Sequence, residues 1–253
     1  MPRKARKLSE SGIYHIMMRG INRQSIFEDI EDHKKFIETI QKYKGKCGYE
    51  IYAYCLMGNH VHILLKIGQE PLEQVMRRIC GRYVYWYNLK YQRIGNLFQD
   101  RFKSEAVEDD AYLLIVQRYI HQNPLKAGLA KNLEEYNWSS YKEYVERPQI
   151  IDVDLLLEML NNNREKAIQR FIEYNNEVNG YLCLDIGEKH HIADEEARNI
   201  IEKVCKIQNA SDIQKLEIGT RNDYLRDLKE LQGLSIRQIE RLTGINRGIV
   251  LKA

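Results

Sequence analysis

The sequence has no run approaching the roughly 18 consecutive apolar residues that a membrane-spanning helix requires. Its basic start, Met1-Pro2-Arg3-Lys4-Ala5-Arg6-Lys7, leads into no apolar stretch of the kind that follows in a secretory leader. It also has no C-x-x-C pair. Cys47, Cys55, Cys80, Cys183 and Cys205 are widely spaced, which points to neither a zinc ribbon nor a disulfide framework. We therefore expect reduced thiols and a cytoplasmic protein without membrane contact. A strong charge of one sign is missing too, since the net balance is only +3, so binding to a polyanion has to be argued from the local distribution of charge. No internal repeat or low-complexity segment interrupts the chain.

What is present suffices for a sizeable core: 253 residues, 43% of them hydrophobic, leave room for one large domain or for a medium domain and a smaller one. We expect the second arrangement, with a basic arm over 1–11, a main domain over 12–147 and a helical region over 148–253. In the main domain, Ile13 to Met18 reads as a strand and Asp32 to Lys46 as an amphipathic helix. Tyr49 to Leu56 and His60 to Ile67 read as strands joined by the tight Met57-Gly58-Asn59 link. Leu72 to Tyr91 is a helix opened by Pro71, Ser104 to Val107 a short strand, and Asp109 to Gln122 a helix stopped by Pro124. The order β-α-β-β-α-β-α contains the ferredoxin-like unit, an α+β fold whose antiparallel sheet has helices on one face and leaves the other free for a site. Beyond Arg147-Pro148 helical patterns dominate, and the expected boundary lies there. Residues 234–252 have the form of a helix-turn-helix.

The chemistry is concentrated in two motifs. In His60-Val61-His62 the two imidazoles project from one strand face and can share a divalent metal, although an arbitrary H-x-H pair can equally be two packing histidines. A two-histidine phosphodiesterase would need a second H-x-[ST] element, which the remaining histidines do not supply. In Arg118-Tyr119-Ile120-His121-Gln122-Asn123-Pro124, Tyr119 and Asn123 stand at i and i+4 and share a helix face. A phenol can attack phosphorus if a metal or polarised phosphate assists it, and the Asn123 amide oxygen could serve as a third ligand. One tyrosine among 17 can also be a half-buried helix residue.

Taken together with Arg19 to Phe27, Asn96 to Ser104 and Trp138-Ser139-Ser140-Tyr141, these motifs make residues 12–144 resemble the REP-associated tyrosine transposases of the HUH single-tyrosine superfamily. The resemblance implies a nuclease of ferredoxin-like fold that binds Mg2+ or Mn2+ through His60, His62 and Asn123. It implies Tyr119 as nucleophile on single-stranded DNA near a hairpin or palindromic repeat, with a 5′-phosphotyrosine intermediate and no nucleotide cofactor. It leaves monomer and homodimer open.

The expected DNA surface follows from local charge. From Leu72 to Lys103, Arg77, Arg78, Arg82, Lys90, Arg93, Arg101 and Lys103 face only two acids, with Tyr83, Tyr85, Trp86, Tyr87, Tyr91, Phe98 and Phe102 interleaved. Cations that follow phosphates and rings that stack on bases suit a single strand, although an amphipathic helix would bury some of those rings. Arg19, Asn22 and Arg23 after the first strand, and Arg237, Arg241, Asn246 and Arg247 in the C-terminal motif, complete the candidates. Two other readings share these residues: a catalytically silent hairpin-binding regulator, and a relaxase-like or replication-initiator-like nickase for which Tyr112, seven residues before Tyr119, would be the second tyrosine.

Overall fold

A computed structural model of the chain describes residues 7–177, Cys183, 194–230, Leu234 and 236–252. The tip of the basic arm, residues 1–6, lies outside the described residues. Residues 9–11 of that arm are fixed, because the Glu108 carboxylate accepts from Ser9 Oγ and from the backbone N–H groups of Glu10 and Ser11.

The chain divides into two compact units, Met1–Asp185 and Ile186–Ala253. In the first, β1 (Ile13–Arg19), α1 (Ile30–Cys47), β2 (Glu50–Met57), β3 (His60–Lys66), α2 (Leu72–Lys90), β4 (Lys103–Val107) and α3 (Asp110–Lys126) follow the expected order. The sheet order is β2-β3-β1-β4, antiparallel throughout. Local chemistry sets the ends. Asp29 caps α1 in a reciprocal capping box with Asp32, and Gly48 ends the helix at φ 67, a conformation costly for residues with a Cβ. Asp109 caps α3 through the Tyr112 N–H. The hairpin turn after β2 is clamped from outside, since Gly58 O accepts from the Ile26 N–H and Asn59 O from the Gly20 N–H.

Three expectations change. The helix of Asp109 to Gln122 does not stop at Pro124 but carries it inside α3 and runs to Lys126. The proline lies in the last turn, which is closed by the Ala127, Gly128 and Leu129 N–H groups bonding to Asn123, Leu125 and Pro124 carbonyls. Second, neither sheet face is left free. Met18 on β1 meets Cys80 of α2, while α3 packs against β2 and β3, so every residue of β1 is buried.

Third, the chain does not divide near Arg147. The helices α4 (Tyr141–Val145), α5 (Asp154–Leu160) and α6 (Arg164–Asn176) belong to the first unit, and polar side chains of α3 find partners on or beside α4 and α6. Gln117 Nε2 donates to Asn175 Oδ1 at 3.0 Å, Gln122 Nε2 to Asn175 O at 2.8 Å, and Arg118 pairs with Glu177 at 2.8 Å. His121 accepts from Gln117 at Nδ1 and donates from Nε2 to Ser140 Oγ at 2.8 Å. The Phe171 ring of α6 stacks on Tyr144 at 4.3 Å between centroids. The stretch Trp138 to Tyr141 continues the edge of β2, with the Leu56 N–H bonded to Trp138 O and the Ser140 N–H to Tyr54 O.

The second unit contains α7 (Asp194–Cys205), a 3-10 turn (Ala210–Lys215), α8 (Ile218–Glu230), α9 (Ile236–Thr243) and α10 (Arg247–Lys252). It has its own core around Ile201, Ile213, Leu225, Leu228, Ile239 and Val250. The two final helices are joined through Gly244 at φ 72.

Two outcomes follow. Both tryptophans, Trp86 and Trp138, lie in the first unit, so their fluorescence reports on that unit alone; Phe171→Ala should lower its unfolding free energy in urea by about 3–5 kcal/mol, whereas a separate helical domain would leave it unchanged. Burial lowers the His121 pKa from 6.5 to about 3. The unfolded chain therefore binds a proton that the fold refuses, and stability should fall as pH drops below 6.5 towards 3, by up to about 1.4 kcal/mol per pH unit for this group. His121→Gln should flatten that dependence in urea titrations repeated across the range.

Candidate active site

Strand alternation places His60 and His62 on one face of β3. Their ring centroids are 5.1 Å apart. Directly opposite on β1, Arg19 pairs with His60 and Met17 with His62, so Arg19 projects from the same face. Beneath α3 the Tyr119 ring lies 5.8 Å from His62 and 6.0 Å from a third imidazole, His15. His15 Nε2 is 3.0 Å from His62 Nδ1. Both histidines are fully buried and Tyr119 is 5% exposed. The Lys126 ammonium, about two helical turns beyond the tyrosine, stands 4.8 Å from the centre of its ring.

The structure thus brings His60, His62 and Tyr119 together. It adds His15, Lys126 and Glu105, which motif reading does not single out. Asn123 is 8% exposed and donates through Nδ2 to the Tyr119 carbonyl at 3.0 Å, which leaves its Oδ1 out of that bond. Tyr112 is held elsewhere, by the Glu105 carboxylate, and both burial and that neighbour raise its pKa.

The residues suit a metal. Asn59 Oδ1 lies 2.7 Å from His60 Nδ1 and can only accept there, so Nδ1 carries the proton and Nε2 the lone pair. His62 Nε2 is buried with no hydrogen-bond partner among the described residues, a loss of about 1–3 kcal/mol that a ligand would relieve. Burial, reinforced by His15 and His60, holds the His62 pKa well below the usual histidine value, so the ring is neutral, as a ligand must be. Among the described residues no three His, Cys, Asp or Glu side chains form a metal cluster. The imidazole pair therefore needs a donor of another type, the place that the sequence reading gives to the Asn123 amide.

The other candidates are scattered. Arg19 is buried, with Nε unpartnered among the described residues, while Asn22 and Arg23 are exposed at φ 51 and 61, a conformation rare for such residues. Lys103 is exposed and lies across from Met17 on the histidine face. Arg82 is exposed. Arg77 and Arg101 line a cavity of about 280 Å³ with Met18, Met76, Phe98 and Phe102, on the opposite face of β1. Arg78 is tied to Glu70 at 2.9 Å, Lys90 to Asp29 and Asp32, and Arg241 to Asp194. Of the rings, Tyr83 and Tyr87 are core and Tyr85 is 67% exposed. In the second unit Asn246 and Arg247 are exposed, and the Arg237 side chain lies outside the described residues.

Residues 9–123 match the family model described as Transposase IS200 like. Over that stretch, somewhat less than half of its length, the chain is similar to the IS200-like transposases. A Haemophilus influenzae protein with the provisional description REP-associated tyrosine transposase is 21% identical over 151 residues, 54% of this chain and 83% of that protein. A solved structure of a REP-associated tyrosine transposase bound to a REP hairpin is 20% identical, covers 61% of this chain and 96% of its own, and has a TM-score of 0.52. At that identity the likeness is one of fold, and it matches the α+β sheet described above. A transposase structure from Deinococcus radiodurans, also 20% identical, covers 48% of this chain and 97% of its own, with a TM-score of 0.34.

Proposed function

We propose that this chain is an IS200-like transposase, a metal-dependent endonuclease and strand transferase that cleaves single-stranded DNA beside hairpins or palindromic repeats, with Tyr119 as nucleophile. The convergence of His60, His62 and Tyr119 from β3 and α3 in one cluster carries this reading. The likeness to the hairpin-bound transposase supports the choice of substrate.

His60, His62 and Asn123 would hold Mg2+ or Mn2+, which when bound polarises a nonbridging phosphate oxygen and steadies the charge that develops there. Imidazoles favour softer ions, and a neutral amide as third donor suits a weak, exchangeable site. Tyr119 forms the new bond from its phenolic oxygen to phosphorus as it gives up its proton, and the bond to the 3′-oxygen breaks. The products are a 5′-phosphotyrosine and a 3′-hydroxyl. Attack by a 3′-hydroxyl on that link reverses the exchange and joins strands, so no nucleotide is consumed. Lys126, beside the phenol ring, and Arg19, on the His60 face, supply positive charge for the phenolate and the phosphate. Lys103, on the histidine face, would guide the strand past the site, Arg77, Arg82 and Arg101 would meet DNA on the other side of the sheet, and the exposed Asn246 and Arg247 of the second unit would meet a hairpin stem.

Purified protein with Mn2+ and an end-labelled hairpin strand should form an adduct that survives denaturation. Tyr119→Phe should abolish it, and His60→Ala should lose cutting while keeping hairpin binding; an adduct with Phe at 119 would refute the assignment. Arg82→Ala or Lys103→Ala should weaken binding at every sequence and lower the salt slope by about one unit. Arg78→Ala should change little, because Glu70 already occupies that guanidinium.

A further inference from the structure

The contact between His15 and His62 joins side chains 47 residues apart in the chain, both without solvent exposure, at 3.0 Å between His15 Nε2 and His62 Nδ1. One hydrogen must lie between these nitrogens, and either ring can provide it. If His15 donates, His62 carries its own proton on Nε2, the nitrogen without a hydrogen-bond partner among the described residues, and cannot ligate through it. If His62 donates, its Nε2 holds a lone pair.

The surroundings of His15 decide between the two. On β4, directly across from His15, stands Glu105, and its Oε2 lies 3.9 Å from His15 Nδ1. That is an electrostatic contact rather than a hydrogen bond. A carboxylate there attracts an N–H and repels a lone pair, so His15 keeps its proton on Nδ1 and turns an accepting Nε2 towards His62. Glu105 is itself held by the Tyr112 phenol. On the neighbouring ligand Asn59 imposes the same arrangement, with the proton on Nδ1 of His60. Two unrelated partners thus leave both histidines of the motif with Nε2 as the donor atom.

We propose that Glu105 and His15 are positioning residues, a relay running from the β4 carboxylate through His15 that fixes the tautomer and ring orientation of His62 so that its Nε2 is presented to a divalent cation. The inference rests on the metal reading above for its purpose, but the tautomer itself exists without metal. Outer partners of this kind typically change metal affinity 10–100-fold when removed.

The test uses the full chain labelled with 15N-histidine. In the metal-free wild type, imidazole NMR should show His62 protonated at Nδ1 and bare at Nε2. His15→Leu and, at a less buried position, Glu105→Leu should shift His62 towards the other tautomer and weaken Mn2+ binding, measured by electron paramagnetic resonance, by about 10–100-fold. His15→Gln, whose amide oxygen can accept the same N–H, should restore much of both. Hairpin binding without metal should hold in all variants, which separates loss of positioning from loss of fold. A wild-type His62 protonated at Nε2, or a tautomer and Mn2+ affinity untouched in both leucine variants, would overturn the relay. If the wild type binds no Mn2+, the metal reading fails while the spectrum still decides the tautomer.

Discussion

The packing of α3 across the sheet is the constraint on which the rest depends. The helix brings the Tyr119 ring against His15 and His62, but it also buries Gln117, Arg118, His121, Gln122 and Asn123. Polar groups removed from water must find partners or cost more than the packing returns. For Gln117, Arg118, His121 and Gln122 those partners include Asn175 and Glu177, at and just beyond the end of α6, and Ser140 beside α4. The helices after residue 147 are therefore part of what holds the tyrosine in place, and the first unit cannot end where the sheet ends.

Burial also sets the electrostatics of the site. In a low-dielectric surrounding an imidazolium is costly, so His62 stays neutral, and the direction of each N–H is fixed by its neighbours rather than averaged by water. The price is a ring nitrogen, buried in the fold, without a hydrogen-bond partner among the described residues. Such a group in a well-packed core is explained more readily by a ligand than by packing, since an apolar residue would fill the same space without loss.

Charge is redistributed by tertiary contacts. The excess of lysine and arginine between Leu72 and Lys103 looks uniform in the sequence, but it separates into cations bound to carboxylates, such as Lys90 and Arg78, and cations on the surface, such as Arg82 and Lys103. The aromatic residues interleaved with them divide in the same way, with Tyr83 and Tyr87 in the core and Tyr85 outside. The Arg78–Glu70 pair is solvent-exposed and contributes little stability, and each such pairing decides which side chains can meet an anion.

The sequence by itself determined the succession of strands and helices along the chain, the shared face of His60 and His62, and the i, i+4 pairing of Tyr119 with Asn123, because periodicities of 2 and 3.6 and turn residues act over a few positions. It also carried the motifs through which residues 9–123 match the IS200-like transposase model. It did not determine that Pro124 could sit inside α3, since a proline in a last turn removes few bonds, nor that residues 148–177 close the first unit, since their partners lie on α3. His15 reads in sequence as one alternating position of an ordinary strand. Only the placement of β1 between β3 and β4 sets it between His62 and Glu105, through contacts separated by tens of residues that local pattern does not encode.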